Sequence, residues 1–575
     1  MFRLKQTIAA ILVLSCSLCV AQQTTTNAAS KNKEKEPANI LEQRAEYFAR
    51  QHGARPDKIS VVPRLKALTQ LENMRRKEKQ QIQLSPQLKN GAAVAAGPFT
   101  SLAISTTQWT SIGPAPVQSF GNFFSGRVRA LAVDPTNPSI IYLGAADGGV
   151  WKTTDGGQHW VPLTDTQPTL SIGSIALDPN NPSTIYVGTG EPFTFDSFPG
   201  VGVLKSTDGG QTWTNIQGPF VNGHIGGIAV DPNNSQNVLA AFEQGVARST
   251  DGGNTWTVVF GAVSGQVLFD PKNPGVAYGS GLEAVFKSTD SGATWTPILT
   301  ENTADGLSSV TLSGSTLYAF FDDSTLFKST DAGATCTKLP TPGAPFCQGQ
   351  CNYNLIVGAS PTNPNEVYVG SINMYHSNDG GVTWGLDSSS HSDNHALTFS
   401  PDGATVYAGN DGGAWAAPTG TAANSSIPWT NLNNTLATLQ FYRGISMAAG
   451  DPNLGLGGTQ DNATERYNGT TTWTGVIGGD GFATAINPFN QQIMYGTAQN
   501  AVLFRSTDAG ASFSNIGPFN GGRFDTLLTM DPSAPQHLYT DPGTGFVFQS
   551  NDAGTTWTSI SPQQNFIGNI AVAPT

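Results

Sequence analysis

From residue 109 onward, short apolar runs alternate with clusters of turn residues, and the pattern repeats about every 40 residues. Each unit reads as an apolar strand, a turn of the type Asp-Pro-x-Asn-Pro, a second strand ending in Tyr-x-Gly, and a third strand. The third strand leads into Ser/Thr-x-Asp-x-Gly-x-Thr-Trp. That octapeptide stands at 153–160 (TTDGGQHW), 206–213 (STDGGQTW), 249–256 (STDGGNTW) and 288–295 (STDSGATW). It returns at 329–336 (STDAGATC), 377–384 (SNDGGVTW), 506–513 (STDAGASF) and 550–557 (SNDAGTTW). Two further units, around 393–433 and 441–478, keep the strand pattern without the octapeptide, so ten units are expected.

The octapeptide has a local physical meaning. Ser/Thr and Asp side chains hydrogen-bond backbone N–H groups in a tight turn. Gly supplies a positive φ, and the closing Trp packs between neighbouring sheets. A four-stranded antiparallel sheet of this kind cannot bury both faces alone, so units stack radially as blades. The expected fold is all-β, a propeller of about ten blades over 106–575. It is either one large ring or a seven-bladed ring followed by a partial second. Residues 109–112 look like an outermost strand and 570–575 like an innermost one, with the middle strands of a shared closing blade missing. That implies a truncated chain or an irregular closure.

The N-terminal part differs. Residues 1–21 have the form of an export signal, with Arg3 and Lys5 before an apolar run of about 14 residues, too short to span a bilayer. Residues 22–105 form a polar linker and helical arm: 40–51 places Leu41, Ala45 and Phe48 on one face, and Leu65, Leu68, Leu71 and Met74 mark a second helix. The mature protein is therefore expected to be secreted or periplasmic, with no transmembrane segment. Of the five cysteines, Cys336, Cys347 and Cys351 lie outside the signal, which suggests one local disulfide and a spare thiol.

Charge separates the two parts. Residues 22–110 carry 14 Lys+Arg against 7 Asp+Glu, a net of +7, whereas 111–575 carry 13 against 34, a net of −21. So acidic a body repels nucleic acid and anionic membranes. Neutral glycans, cationic groups and divalent metals are the natural ligands, and the basic arm is expected to dock on the acidic body.

The octapeptides resemble the Asp-box (BNR) repeat of sialidases, sortilin-type receptors, two-propeller xyloglucanases and photosystem II assembly propellers. The resemblance covers roughly 109–575. It implies a propeller in which the box aspartates, such as Asp155, Asp208 and Asp251, are structural. A sialidase is disfavoured, because no Arg-Ile-Pro occurs and 111–575 holds only seven arginines for a carboxylate clamp.

Antiparallel blades place the boxes on one face, so candidate ligand residues lie on the other. Loops there carry Asp147, Glu191, Asp196, Asp411, Asp461 and Asp480, with Phe193, Phe195, Phe198, Trp415 and Phe482 among them. Acids beside aromatics suit glycan binding or hydrolysis. For hydrolysis, Asp147, Asp411 and Asp480 are the candidate acid–base residues. Asp147 lies in Ala-Asp-Gly-Gly-Val-Trp, similar to the Thr-Asp-x-Gly-Gly region holding one catalytic aspartate in the two-propeller xyloglucanases; as a plain Asp-Gly turn it needs no such role. Glu191, Asp196, Phe193, Trp415 and Asp461 are candidate ligand contacts. His391-x-Asp393-x-His395 would converge in an extended segment and, with Asp411, could hold a divalent metal. The sequence thus supports a glycan- or protein-binding propeller, with a glycoside hydrolase as the alternative.

Overall fold

The structure, a computed structural model, describes residues 44, 46–48, 61–84 and 110–573, the last with short gaps of which 302–307 is the longest. Phe193, Phe195 and Asp196 lie outside the described residues.

Among the described residues, ten sheets follow one another along the chain, nine of four strands and one of six, all antiparallel except for one pairing in the six-stranded one. Numbered as blades, they span 128–162, 172–216, 225–260, 264–300, 308–339, 356–387, 394–431, 441–477, 481–515 and 529–559. The first strand of each blade packs on that of the next from blade 1 to blade 7, and Asn394–Phe399 of blade 7 packs back on Val128–Asp134 of blade 1. Seven blades therefore close a ring. Phe441–Met447 of blade 8 packs on Gly481–Ile486 of blade 9, which meets Thr529–Met530 of blade 10. Of the two arrangements left open by the repeat count, the structure adopts the seven-bladed ring with a second, three-bladed array.

Burial explains the residue pattern within a blade. The second strand is covered on both sides by neighbouring blades, so Val238–Phe242 and Thr316–Phe321 are buried at every position and wholly or mostly apolar. The fourth strand lies at the rim, and Val161–Pro162 is exposed.

Each box is a closed hydrogen-bonded turn. In blade 2, Ser206 Oγ donates to Asp208 Oδ1 (2.7 Å) and accepts from Gly210 N–H (2.9 Å). Asp208 accepts from the Thr212 N–H (2.9 Å) and hydroxyl (2.6 Å). Gly209 and Gly210 hold φ of +71° and +89°, as the turn requires. The boxes also join blades. Trp213 Nε1 donates to the carbonyl of Leu163 in the link after blade 1 (3.2 Å), and Tyr186 of blade 2 donates to Gly252 O in the box of blade 3 (2.8 Å). Blade 1 uses its box Trp to seal the ring: Trp160 Nε1 donates to Leu432 O beyond blade 7 (2.7 Å).

The chain ends differ from the sequence expectation. Residues 110–112 form no strand; instead Val117–Ser119 and Asn122–Phe124 make a hairpin on the outer edge of blade 8, Val117 lying parallel to Trp473. Trp473 supplies the reason, packing on Phe441 and Tyr467 and donating Nε1 to Ile112 O (2.8 Å). Residues 570–573 form no strand either, although Thr529 Oγ1 donates to Ile570 O (2.8 Å).

Where the chain enters and leaves the ring, the two segments clasp each other. Ser125 Oγ donates to Leu436 O (2.8 Å), and Gly126 N–H donates to Thr438 Oγ1 (3.0 Å). A Cβ at Gly126 would lie 2.0 Å from Thr438 O, so only glycine permits the crossing. In the N-terminal part, helix α1, Val62–Leu84, is held on the ring through Arg64, which donates to Asp165 O (2.9 Å) and Gln167 O (3.0 Å). Cys347 and Cys351 are disulfide-bonded, and Cys336 is a free thiol. Among the described residues, no helix is long and apolar enough to cross a membrane.

The boxes give the fold an acid limit. Hydrogen bonds, first from the Thr or Ser hydroxyl four residues on, hold Asp208, Asp251, Asp331, Asp508 and Asp552 down to about 2. A depressed folded-state pKa adds stability above the unfolded value near 4, and that stability disappears as pH falls towards 2. Thermal melts should show the box contribution as a steep fall in Tm between about pH 4 and 2. Asp251→Asn should flatten part of that fall, and an unchanged slope would contradict the account.

Candidate functional site

On the ring face opposite the boxes, where the ring meets blade 8, polar side chains from distant parts of the chain form one buried network. Arg127, at the entry to blade 1, donates through Nη2 to Glu191 Oε2 (2.8 Å) and through Nη1 to Tyr353 Oη (2.7 Å). Tyr353, in the link before blade 6, donates to Asp411 Oδ2 (3.0 Å). His395 Nε2 donates to Asp411 Oδ1 (2.7 Å). Gln460 Nε2 bridges Asp411 Oδ2 (2.8 Å) and Asp461 Oδ2 (2.6 Å). The Asp461 N–H donates to Asp480 Oδ1 (3.0 Å).

The last member comes from the N-terminal part. Arg44 Nη2 lies 2.8 Å from Asp461 Oδ1 and 3.4 Å from Asp480 Oδ2. Tyr47 donates to Tyr442 O and packs with Tyr442, Phe482 and Phe524 in one aromatic cluster.

Local geometry explains why these loops converge. Asp411 and Asp461 occupy corresponding turns, between the second and third strands of blades 7 and 8. Asp461 and Ala463 have positive φ (+54° and +101°), which turns the loop sharply beside Asp480. Asp147 occupies the same turn in blade 1 and accepts from Gln440 Nε2 (2.9 Å).

Several sequence expectations change here. Residues 391–395 are not extended, because Asp393 has φ +63°, yet Asp393 and His395 both come to Asp411. His391 packs edge-on against Phe124, while His395 faces Asp411. The acidic residues gather instead: Asp393, Asp411 and Asp461 each place an oxygen within 4.8 Å of the others. An all-oxygen set suits Ca²⁺ or Mg²⁺ rather than zinc, although both Asp411 oxygens already accept hydrogen bonds. Trp415 is 2 % exposed and donates Nε1 to Asn410 Oδ1 (3.0 Å), so it belongs to the core and meets no ligand. Glu191, 1 % exposed and paired with Arg127, is likewise closed to ligand.

No family model matches the chain, and no curated protein matches it. Solved structures do. An ancestral GH74 enzyme is 17% identical over 75% of this chain and 68% of its own, with a TM-score of 0.55. The GH74 xyloglucanase from Xanthomonas campestris is 16% identical over 76% of this chain and 94% of its own, with a TM-score of 0.47. PorZ, a surface component of the type-IX secretion system of Porphyromonas gingivalis, is 13% identical over 76% of this chain and 59% of its own, also at 0.47. The chain shares the β-propeller fold of these structures.

Within this Asp-box propeller, the acidic residues at the seam differ in state. Burial alone would raise Asp411, but its His395 contact, Arg127 and a hydrogen bond to Asp461 outweigh it and hold Asp411 well below the usual carboxylate range. Burial, with the nearby Asp480 and Asp411 charges, pushes Asp461 well above that range despite Arg44. Burial lowers His395 despite Asp411, so its ring is neutral and donates through Nε2. The two carboxyls are thus pushed apart, Asp411 towards its ionised form and Asp461 towards its protonated form. The Asp461 side chain is 13 % exposed, whereas that of Asp480 is fully covered.

The sequence reading missed Arg44, Arg127, Tyr353 and Gln460. Arg127 carried a signal as one of seven arginines in an acidic body, and Arg44 as part of the basic arm expected to dock on that body. The Arg127–Glu191 pair should be costly to break from one side, because it is sealed from water. In chemical denaturation, Arg127→Met should destabilise the protein by about 3–5 kcal/mol, and adding Glu191→Gln should recover most of that loss. Equal stability of Arg127→Met and wild type would contradict the assignment.

Proposed function

We propose that this protein is an exported ligand-binding propeller whose site is the seam between the seven-bladed ring and blade 8, on the face without Asp boxes. The observation that carries this reading is the state of Asp461. It is the carboxyl of the Asp411–Asp461–Asp480 set that reaches solvent, and a cationic side chain already binds it there. A ligand with hydrogen-bond donors or a positive group matches Asp461 and Asp147, and one with an aromatic ring can take the place of Tyr47, which covers the Tyr442–Phe482–Phe524 cluster. Neutral or amino sugars and polypeptide segments both meet that description.

A second reading, glycoside hydrolysis, is favoured by the raised pKa of Asp461, since a protonated carboxyl at solvent is what a general acid needs. The partner would be Asp147 rather than Asp411 or Asp480. Asp411 and Asp480 are fully buried and bound by protein donors, so neither can activate a water molecule at a sugar. Asp147 is partly exposed.

One pair of assays separates the readings. Full-length protein and its Asp461→Ala and Asp147→Ala variants are tested for reducing-end release from a polysaccharide panel and for capture on glycan and peptide arrays. The binding reading predicts no release, with capture weakened at least about tenfold by Asp461→Ala, a loss of about 1.4 kcal/mol. Release abolished in either variant would establish hydrolysis instead. Capture unaffected by Asp461→Ala would remove the seam as the site.

A further inference from the structure

Arg44, Tyr47 and Phe48 belong to a segment some seventy residues before the first strand, Val117–Ser119, yet all three are buried against the propeller. Spaced i, i+3 and i+4 in a helical segment, they share one face. That face touches several separate parts of the body. Arg44 pairs with Asp461 and Asp480, and its guanidinium lies 5.7 Å from the centre of the Phe524 ring before blade 10. Tyr47 meets Tyr442 (5.0 Å between centroids) and Phe482 (5.8 Å) of blades 8 and 9, beneath the Arg443 guanidinium. Phe48 packs edge-on against Phe198 in blade 2 of the ring (5.1 Å). The segment therefore bridges the seam from one side to the other.

The chemistry of this contact is that of peptide recognition. A buried guanidinium meets two carboxyl groups, and two aromatic rings fill adjacent apolar positions on one helix turn. This is the mode in which a short helix lays its anchors onto a complementary surface. The wider charge agrees, with the net of +7 in 22–110 facing −21 in 111–575.

We infer that the seam is a receptor site for an arginine-bearing, aromatic helical polypeptide of the pattern Arg-x-x-Tyr-Phe, and that residues 44–48 occupy it as the chain's own competing ligand. This builds on the seam-binding reading and narrows the ligand class from glycan or polypeptide to polypeptide. A partner segment enters by displacing 44–48. Displacement also removes Arg44 from Asp461, leaving that carboxyl free for the incoming cation. The resident segment lowers the apparent affinity of any competitor by the fraction of time that it is docked.

The test uses the full chain and a fluorescein-labelled peptide of sequence 40–51 (ILEQRAEYFARQ), read by anisotropy. The double variant Arg44→Ala/Tyr47→Ala should bind the peptide at least about tenfold more tightly than wild type does. The peptide carrying Ala in place of Arg44 should lose that binding, as should the double variant with Asp461→Asn added. Should the double variant fold poorly, hydrogen exchange on wild-type protein gives the same answer. Amides at 44–48 should exchange slowly alone and quickly under excess unlabelled peptide.

Equal peptide binding by wild type and a folded double variant would overturn the inference, as would 44–48 amides whose exchange is unchanged under excess peptide. A result in which no form binds the peptide, while Asp461-dependent glycan capture persists, rejects the polypeptide class and leaves the seam-binding reading standing. Loss of both rejects the two together.

Discussion

Carboxylates cannot gather away from water unless something compensates their charge, and this constraint organises the structure. Asp411, Asp461 and Asp480 meet where the ring joins the second array. The molecule neutralises them in three ways. Asp411 stays ionised among donors from Tyr353, His395 and Gln460, close to Arg127. Asp461 is pushed towards its protonated form by burial and the neighbouring charges. Arg44 then supplies positive charge to Asp461 and Asp480 from outside the propeller altogether. Ring, second array and N-terminal segment are thereby joined through one set of charges.

The blades supply the rigid frame that such a cluster needs. Each box is satisfied within a few residues, and Trp and Tyr carry hydrogen bonds from blade to blade. Ring closure relies on side chains rather than a shared blade. Trp160 reaches Leu432, the inner strands of blades 1 and 7 pack together, and the clasp at Gly126 and Thr438 pins entry to exit. The hairpin at 117–124 on blade 8 fixes the second array to the segment that starts the ring. Loops on the face without boxes are consequently held in register even though they come from residues more than 300 positions apart.

The blades were legible in the sequence because a box is local: its bonds run from Ser206 to Gly210 and from Asp208 to Thr212, all within one octapeptide. The size of the ring was not, since closure depends on how blade 7 fits blade 1, and no residue motif encodes that fit. Asp411, Asp461 and Asp480 could be found because alternating strand direction sorts loops by face. Their grouping with His395 was partly legible for the same reason. The spacing of His391, Asp393 and His395 was read through an extended backbone that the positive φ of Asp393 breaks, although Asp393 and His395 both reach Asp411. Trp415 misled because a loop-adjacent aromatic and a core aromatic have the same sequence signature. Docking of the basic arm on the acidic body was legible from charge, but the partners of Arg44 were not, since they lie more than 400 residues away.

The central claim is that Arg44 is energetically part of the acidic seam rather than a side chain resting on it. A double-mutant cycle in chemical denaturation, using Arg44→Met, Asp461→Asn and their combination in the full chain, measures this directly. The account predicts that the single changes do not add, with an interaction energy of about 1–3 kcal/mol. Additivity to within about 0.5 kcal/mol would contradict it and would reduce the N-terminal segment to a passive cover.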